Sequence, residues 1–242
     1  MTDAEPRPDL SVVIPLYNEA ENVPPLQKEL ETALKTKSWE LVLVDDGSTD
    51  HTRQAIEPGP HVRILAMAQN SGQSAAMFVG IQAARGRHIA LLDGDLQNDP
   101  ADIARMLEEL ERSGVDMVCG YRENRQDTWS KRVASKIANF VRSRFTGDGV
   151  RDTGCTLKVM RLECREALVP FYGMHRFLPA LIKGAGYRIS EVSVHHRARR
   201  FGVSKYSVAG RAVKATMDMF GVKWLISRRL KLRMEEMARE PG

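Results

Sequence analysis

Apolar positions along the chain come in short blocks separated by polar, turn-forming clusters. Residues 11–15 (SVVIP), 40–44 (ELVLV), 62–67 (VRILAM), 88–92 (HIALL) and 115–120 (VDMVCG) have the length and apolar character of buried strands. Between them apolar residues recur at helical spacing. In 19–35 these are Val23, Leu26, Leu30 and Leu34; 74–84 is small and helical; 101–112 reads as a helix entered after Pro100 and closed by Gly114. A short helix is expected from Asp50, with Asp50 or Thr49 as its cap. Strand and helix alternating at roughly 25-residue intervals predict an α/β domain, a doubly wound and mostly parallel sheet with helices on both faces.

The pattern changes after Arg122. Residues 130–145 form a helix with a basic face (Lys131, Arg132, Lys136, Arg142, Arg144) and an apolar one (Val133, Ile137, Phe140, Val141). A strand is expected at 156–160, a helix at 175–183, an alternating strand at 187–194, and basic amphipathic helices at 208–219 and 222–234. The expected organisation is a flexible leader over 1–10, a main domain over 11–200 and a basic C-terminal element over 201–242.

Composition narrows the class. In 242 residues, 43% hydrophobic and 28% charged, there is enough apolar material for a core. Apolar runs such as 41–44 and 89–92 are about four residues long, far short of the ~18–20 that cross a bilayer. The polar, acidic N-terminus is not a secretory signal. Three cysteines (Cys119, Cys155, Cys164) without a CxxC argue against a disulfide framework or a zinc knuckle and fit a reducing cytoplasm. The net charge of +5 is uneven: Arg197 to Arg233 carries eleven Lys/Arg against the single acid Asp218. Such a block points to a polyanionic partner, whether an anionic membrane face, nucleic acid or a phosphorylated substrate.

Ligands of doubly wound sheets bind beyond the carboxyl ends of the strands. The polar clusters Tyr17-Asn18-Glu19, Asp45-Asp46, Asp93-Gly94-Asp95 and Tyr121-Arg122 all fall there. In Asp93-Gly94-Asp95-Leu96-Gln97, two carboxylates two residues apart and a further oxygen ligand suit Mg²⁺ or Mn²⁺. A strand-end turn is the plainer reading, but the buried IALL run before it favours the metal. Asp45-Asp46 suits a base or ribose; by itself it is more readily a turn, as Pro15 to Glu19 is a junction. No GxGxxG follows the first strand and no GxxxxGK[ST] occurs, so dinucleotide oxidoreductases and P-loop phosphotransferases lack their phosphate cradle. His195-His196 and Cys155 read as structural, and Met217, Met219, Met234 and Met237 as packing.

The series VVIPLYNEAENV, LVLVDDGSTDHT, QNSGQSAAMFVGIQAARG and IALLDGDLQNDP, in this order and spacing, resembles the family 2 glycosyltransferases of GT-A fold. Gly120-Tyr121-Arg122, Arg151-Asp152-Thr153-Gly154-Cys155 and Arg199-Arg200-Phe201-Gly202-Val203-Ser204-Lys205-Tyr206-Ser207 extend the likeness to the polyprenyl-phosphate branch, which includes the dolichyl-phosphate mannose synthases. The likeness covers about residues 10–230. It implies that Pro15, Tyr17, Glu19, Val44 and Asp46 hold the nucleoside of a UDP- or GDP-linked sugar. Asp93 and Gly94 approach its ribose and diphosphate, and Asp95 and Gln97, with Asp93, bind the metal. Arg199 and Lys205 fold over the donor diphosphate. Arg122, Arg132 and Ser135 meet the acceptor phosphate. Asp152 is either a weak base or an orienting partner for an arginine.

A polyprenyl phosphate is already ionised at neutral pH, its second pKa being about 6, so no strong base is needed and attack at C1 inverts the anomeric centre. Residues 220–232 (FGVKWLISRRLKL) suit an interfacial position, with Trp224, Leu225, Ile226 and Leu230 facing lipid and Lys223, Arg228, Arg229 and Lys231 facing headgroups. The expected location is peripheral, on the cytoplasmic face of a membrane, with a membrane-anchoring partner or a homo-oligomer as further options. A hydroxyl acceptor is the alternative and would require a clear base. A nucleic-acid-binding module is a remote one, since the acidic strand ends oppose it.

Overall fold

The computed structural model describes residues 7–123, 142–198 and 208–230, with the backbone alone over 208–215. The element order is β1 (Leu10–Leu16), α1 (Val23–Leu34), β2 (Trp39–Asp45), β3 (Val62–Ala66), α2 (Gln73–Ala83), β4 (His88–Leu91), α3 (Asp102–Ser113), β5 (Met117–Arg122), β6 (Lys158–Arg161), α4 (Leu178–Gly184), β7 (Ile189–Val194) and α5 (Val208–Ser227). Two 3₁₀ turns, Leu162–Ala167 and Met174–Arg176, precede α4.

The seven strands form one sheet in the order β3-β2-β1-β4-β6-β5-β7. All neighbours run parallel except β6, which is antiparallel to both β4 and β5. Alternation along β1 divides the core. Leu10, Val12, Ile14 and Leu16 pack with Leu26, Leu30 and Leu34 of α1 and Ile103, Met106 and Leu110 of α3. Val13 faces the other way, toward Ala76, Met77 and Ile81 of α2, a layer that also takes in α4 and Val222 of α5. Helices therefore cover both faces, as the sequence predicts. On the second face α2 comes unusually close, because a Cβ on Gly80 would stand 2.4 Å from a Val13 methyl and 2.9 Å from a Val44 methyl.

The boundaries differ from expectation for local reasons. The sheet takes in Leu10, and Arg87 and His88 donate backbone N–H groups to the carbonyls of Pro8 and Asp9, so the described end of the expected leader belongs to the domain. Helix α1 begins at Val23 rather than 19, with proline in its first turn. No helix forms after Asp50: its carboxylate takes the Thr52 N–H and hydroxyl, and 51–55 are turns. Proline again marks the first turn of α4, which starts at Leu178, and a 3₁₀ turn occupies 174–176. The two expected basic helices are one through Ser227, because Gly221 lies in open space and a single glycine costs about 1 kcal/mol without breaking a helix. Of the helix expected at 130–145, residues 142–146 are helical and the rest lies outside the described residues. No helix among the described residues is long and apolar enough to cross a membrane.

Candidate active site

Parallel pairing sets the ends of β2, β1 and β4 side by side. Leu16 lies opposite Asp45, the Asp46 N–H donates to the Leu16 carbonyl at 2.8 Å, and the Leu92 N–H donates to the Val13 carbonyl. The loops that follow are tied together by side chains. Asn18, at φ 54°, takes the Ser48 hydroxyl on its N–H and accepts the Thr49 N–H, and the Glu19 N–H donates to the Thr52 hydroxyl. The Glu19 carboxylate accepts from the Asn22 amide. Tyr17 and Glu19 thus sit on a braced loop at the sheet edge. Val44 is fully buried in the core, its side chain away from the strand-end cleft.

Residues 71–74, at the start of α2, bind this edge through consecutive side chains and amides. Ser71 and Gly72 donate backbone N–H groups to Asp46 at 2.7 and 2.8 Å. The Gln73 amide donates to Asp93 at 2.8 Å. The Ser74 hydroxyl meets His175 Nδ1 at 2.7 Å and accepts the Gly173 N–H at 3.0 Å. Burial, then the positive charges of Arg176 and Lys158, pushes His175 down to about 3, so it stays neutral across the physiological range.

Asp93, Gly94 and Asp95 leave β4 at the middle of the sheet. Gly94 lies close under Leu16: a Cβ there would come within 2.6 Å of the tip of that side chain, which would have to move aside. Leu96 is buried at φ 62°, a left-handed conformation that costs a non-glycine residue about 1–3 kcal/mol and that clusters at functional sites. That turn lets Asp95 Oδ1 accept the Gln97 N–H at 3.2 Å. Asp93 opens partly to the cleft yet is crowded on its other sides. Burial, and next the Asp95 carboxylate, raises it to about 6, against the Thr156 hydroxyl and the charges of Lys158 and Arg122. Two carboxylates that repel each other at a strand end fit a hard divalent cation, which is commonly held by one or two carboxylates together with substrate phosphates. No cluster of three or more His, Cys, Asp or Glu able to hold a metal occurs among the described residues.

Across β6, Arg122 and Asp152 form a two-pronged pair, Nε to Oδ2 at 2.7 Å and Nη2 to Oδ1 at 2.9 Å, both side chains largely buried. Burial opposes the guanidinium charge, but the Asp152 bonds outweigh it and hold Arg122 above its ordinary value. Asp152 also accepts the Gly154 N–H, and a Cβ on Gly154 would press on Arg122 Nη2 at 2.8 Å. Of the two roles open to Asp152, the geometry is that of an arginine's partner. The Gln97 carbonyl accepts the Arg197 N–H at 2.8 Å, and Asn98 bridges to His196. The chain preceding 199 therefore runs beside the Asp95-Gln97 loop. Arg199, Lys205, Arg132 and Ser135 lie outside the described residues.

Residues 11–168 match the profile of glycosyl transferase family 2. The chain belongs to that family. A dodecaprenyl-phosphate galacturonate synthase of Rhizobium johnstonii is 41% identical over 228 residues, covering 90% of this chain and 67% of the relative. An undecaprenyl-phosphate 4-deoxy-4-formamido-L-arabinose transferase of Serratia proteamaculans is 39% identical over 215 residues, covering 86% of this chain and 66% of the relative. The chain spans about two thirds of the length of these curated relatives. A glucosyl-3-phosphoglycerate synthase from Mycobacterium tuberculosis, solved with Mn²⁺, uridine diphosphate and phosphoglyceric acid, superposes with a TM-score of 0.69 at 17% identity, over 93% of this chain and 80% of that one. A mannosyltransferase from Pyrobaculum calidifontis, solved with GDP-Man and Mn²⁺, gives 0.66 at 18% identity, over 95% and 67%. The GT-A architecture expected from the sequence is the one observed.

Within this family 2 site, sequence reasoning passed over Gln73, Gly154 and Lys158. Gln73 sits in the quoted QNSGQSAAM segment and Gly154 in RDTGC, but neither carries charge. Lys158 reads as an ordinary strand lysine, and only the sheet order puts it under the cleft. His195 is docked on Asp102 through its N–H at 2.7 Å, which supports its structural reading.

Proposed function

We propose that the chain is an inverting glycosyltransferase that moves a sugar from a nucleoside diphosphate sugar to a polyprenyl phosphate at a membrane surface. The observation that carries this reading is the pairing of an acidic Asp93-Gly94-Asp95 turn with a braced arginine, Arg122, at one edge of the sheet. One half of such an edge suits a metal and a diphosphate, the other an anionic acceptor. The names of the curated relatives support the acceptor class, and the ligands of the structural neighbours support a nucleotide sugar with Mn²⁺.

Pro15, Tyr17, Glu19, Val44 and Asp46 line the nucleoside end in this reading. Asp46 is then a second-hand contact: its carboxylate fixes the Ser71 and Gly72 amides, and those shape the loop. Asp93, Asp95 and Gln97 would hold Mg²⁺ or Mn²⁺. Bound there, a divalent cation neutralises the charge that develops on the leaving diphosphate. Arg199 and Lys205 are assigned to the same diphosphate. Arg122 positions the acceptor phosphate with Arg132 and Ser135. Asp152 keeps the Arg122 fork aimed, with both carboxylate oxygens bonded to the guanidinium, and is assigned to that role rather than to that of the base. A phosphate acceptor needs none, whereas a hydroxyl acceptor does. That difference favours the phosphate.

The outer stripe of α5 supports membrane contact. Met217, Phe220 and Trp224, at spacings of three and four, are exposed at 69%, 57% and 63%, beside exposed Lys223 and Arg228, and Leu230 beyond the helix is exposed at 77%. Leu225 and Ile226, also expected to face lipid, instead pack on the core with Val222. Incubation with a labelled nucleotide sugar, Mn²⁺ and polyprenyl phosphate tests the proposal: label enters the organic phase and fails to do so with excess chelator. Label that stays aqueous, or transfer indifferent to chelator, contradicts it.

A further inference from the structure

Lys158 is among the largest side chains sealed inside the protein, at 1% exposure. It lies on β6, the one antiparallel strand, opposite Leu91 of β4 on one side and Cys119 of β5 on the other. Side chains two positions apart along a strand share a face. Asp93, two residues beyond Leu91, is therefore the diagonal neighbour of Lys158, a relation of about 7–8 Å that a lysine spans. The ammonium donates to the Cys155 carbonyl, at the end of the turn that carries Asp152. It enters no ion pair within 4 Å among the described residues.

A sealed ammonium with one neutral partner is costly unless it answers a nearby charge. The charge at hand is the Asp93-Asp95 pair. Those two carboxylates stand two residues apart at the end of β4, and the pairing of Leu91 with Lys158 sets the lysine diagonally next to the first of them. Arg122 is already committed to Asp152. Among the described residues, Lys158 is a buried cation beneath the turn with no ion-pair partner within 4 Å.

We propose that Lys158 is a positioning residue that serves as the resident counter-cation of the Asp93-Asp95 pair, keeping both carboxylates in place before a divalent cation arrives. The inference rests on reading those carboxylates as the metal-holding pair. A fixed positive charge next to that pair also repels the incoming ion. Lys158 therefore stabilises the metal-free cleft and weakens metal affinity, which keeps the ion exchangeable.

The test is Mn²⁺ titration of the purified full chain without nucleotide, followed by electron paramagnetic resonance of the free ion at a pH above 7. Lys158→Met and Lys158→Gln, the second retaining a donor for the Cys155 carbonyl, are expected to bind Mn²⁺ about threefold or more tightly than the wild type while melting at a lower temperature. Lys158→Arg, which keeps the charge, is expected within about twofold of the wild type. A merely structural lysine predicts unchanged or weaker binding in the neutral variants. That result, or tightening in Lys158→Arg as well, overturns the inference. If Lys158→Met does not fold, Lys158→Gln carries the same reading. Failure of the underlying site reading looks different: wild type and Asp95→Ala would then bind Mn²⁺ equally.

Discussion

Asp93, at the turn that suits a metal, is held well above its ordinary value by burial and by Asp95. Its folded value, about 6, lies above the ordinary 3.8, so ionising it opposes folding. The stability it lends is whole below pH 3.8 and is lost as pH rises through about 6. A divalent cation needs the ionised form, so added Mn²⁺ is expected to raise the melting temperature above about pH 6 and to do little below it. Melting curves with and without Mn²⁺ on either side of that pH check this. Asp95→Ala is expected to keep the fold and lose transfer by about 10²–10³. Asp152→Asn keeps the shape of the Arg122 partner but removes its charge. The expected outcome is a raised KM for the acceptor and an unchanged pH–rate profile; loss of the acidic limb would mark Asp152 as a base instead. Asp46, Asp93, Asp95 and Arg122 were legible in the sequence because each stands at the end of an apolar strand, whereas Lys158 was not. Gln73 and Gly154 were not, since an amide and a missing Cβ gain meaning only from what stands opposite them.

At the scale of elements, strands were read well because buried parallel strands are unbroken apolar runs, and β1, β2 and β4 differ from expectation by a residue or two. Helix starts were read less well, because Pro24 and Pro25 delay α1 and Thr52 draws Asp50 out of a capping role. Helix α2 has almost no amphipathic pattern, being small and apolar all round, and its place is fixed by Gly80 against Val13 and Val44. Gly80→Leu is therefore expected to destabilise by about 1–3 kcal/mol, read as a lowered denaturant midpoint. The two sides of α5 separate in the same way. Val222, 2% exposed, anchors the helix, and Val222→Ala is expected to cost stability. Trp224→Glu, at an exposed position, is expected to change stability by less than about 0.5 kcal/mol and to reduce flotation with anionic vesicles.

At the scale of the molecule, the sheet order brings together parts that the sequence holds far apart. Strand β6 enters between β4 and β5 only after the chain has passed through residues 123–157, and it runs against its neighbours. Its preceding turn thereby delivers Asp152 to Arg122, thirty residues back, and Lys158 to the underside of Asp93. A pattern of apolar blocks reports that a strand exists, not its direction or its slot, so this insertion was invisible beforehand; an orienting role for Asp152 toward an arginine was one of two readings of the sequence, and the insertion is what makes that arginine Arg122. The basic block beyond Arg197 was legible as charge, and its first residue is spent inside the fold: Arg197 bonds Glu29 at 2.6 Å and Asp99 at 2.7 Å.

The most direct measurement offers the protein, with one labelled nucleotide sugar and Mn²⁺, a polyprenyl phosphate and the corresponding free polyprenol side by side. On the proposed reading, in which Arg122 positions an acceptor phosphate and Asp152 braces it rather than serving as a base, the phosphate alone is glycosylated. Equal or preferential transfer to the alcohol would contradict the account.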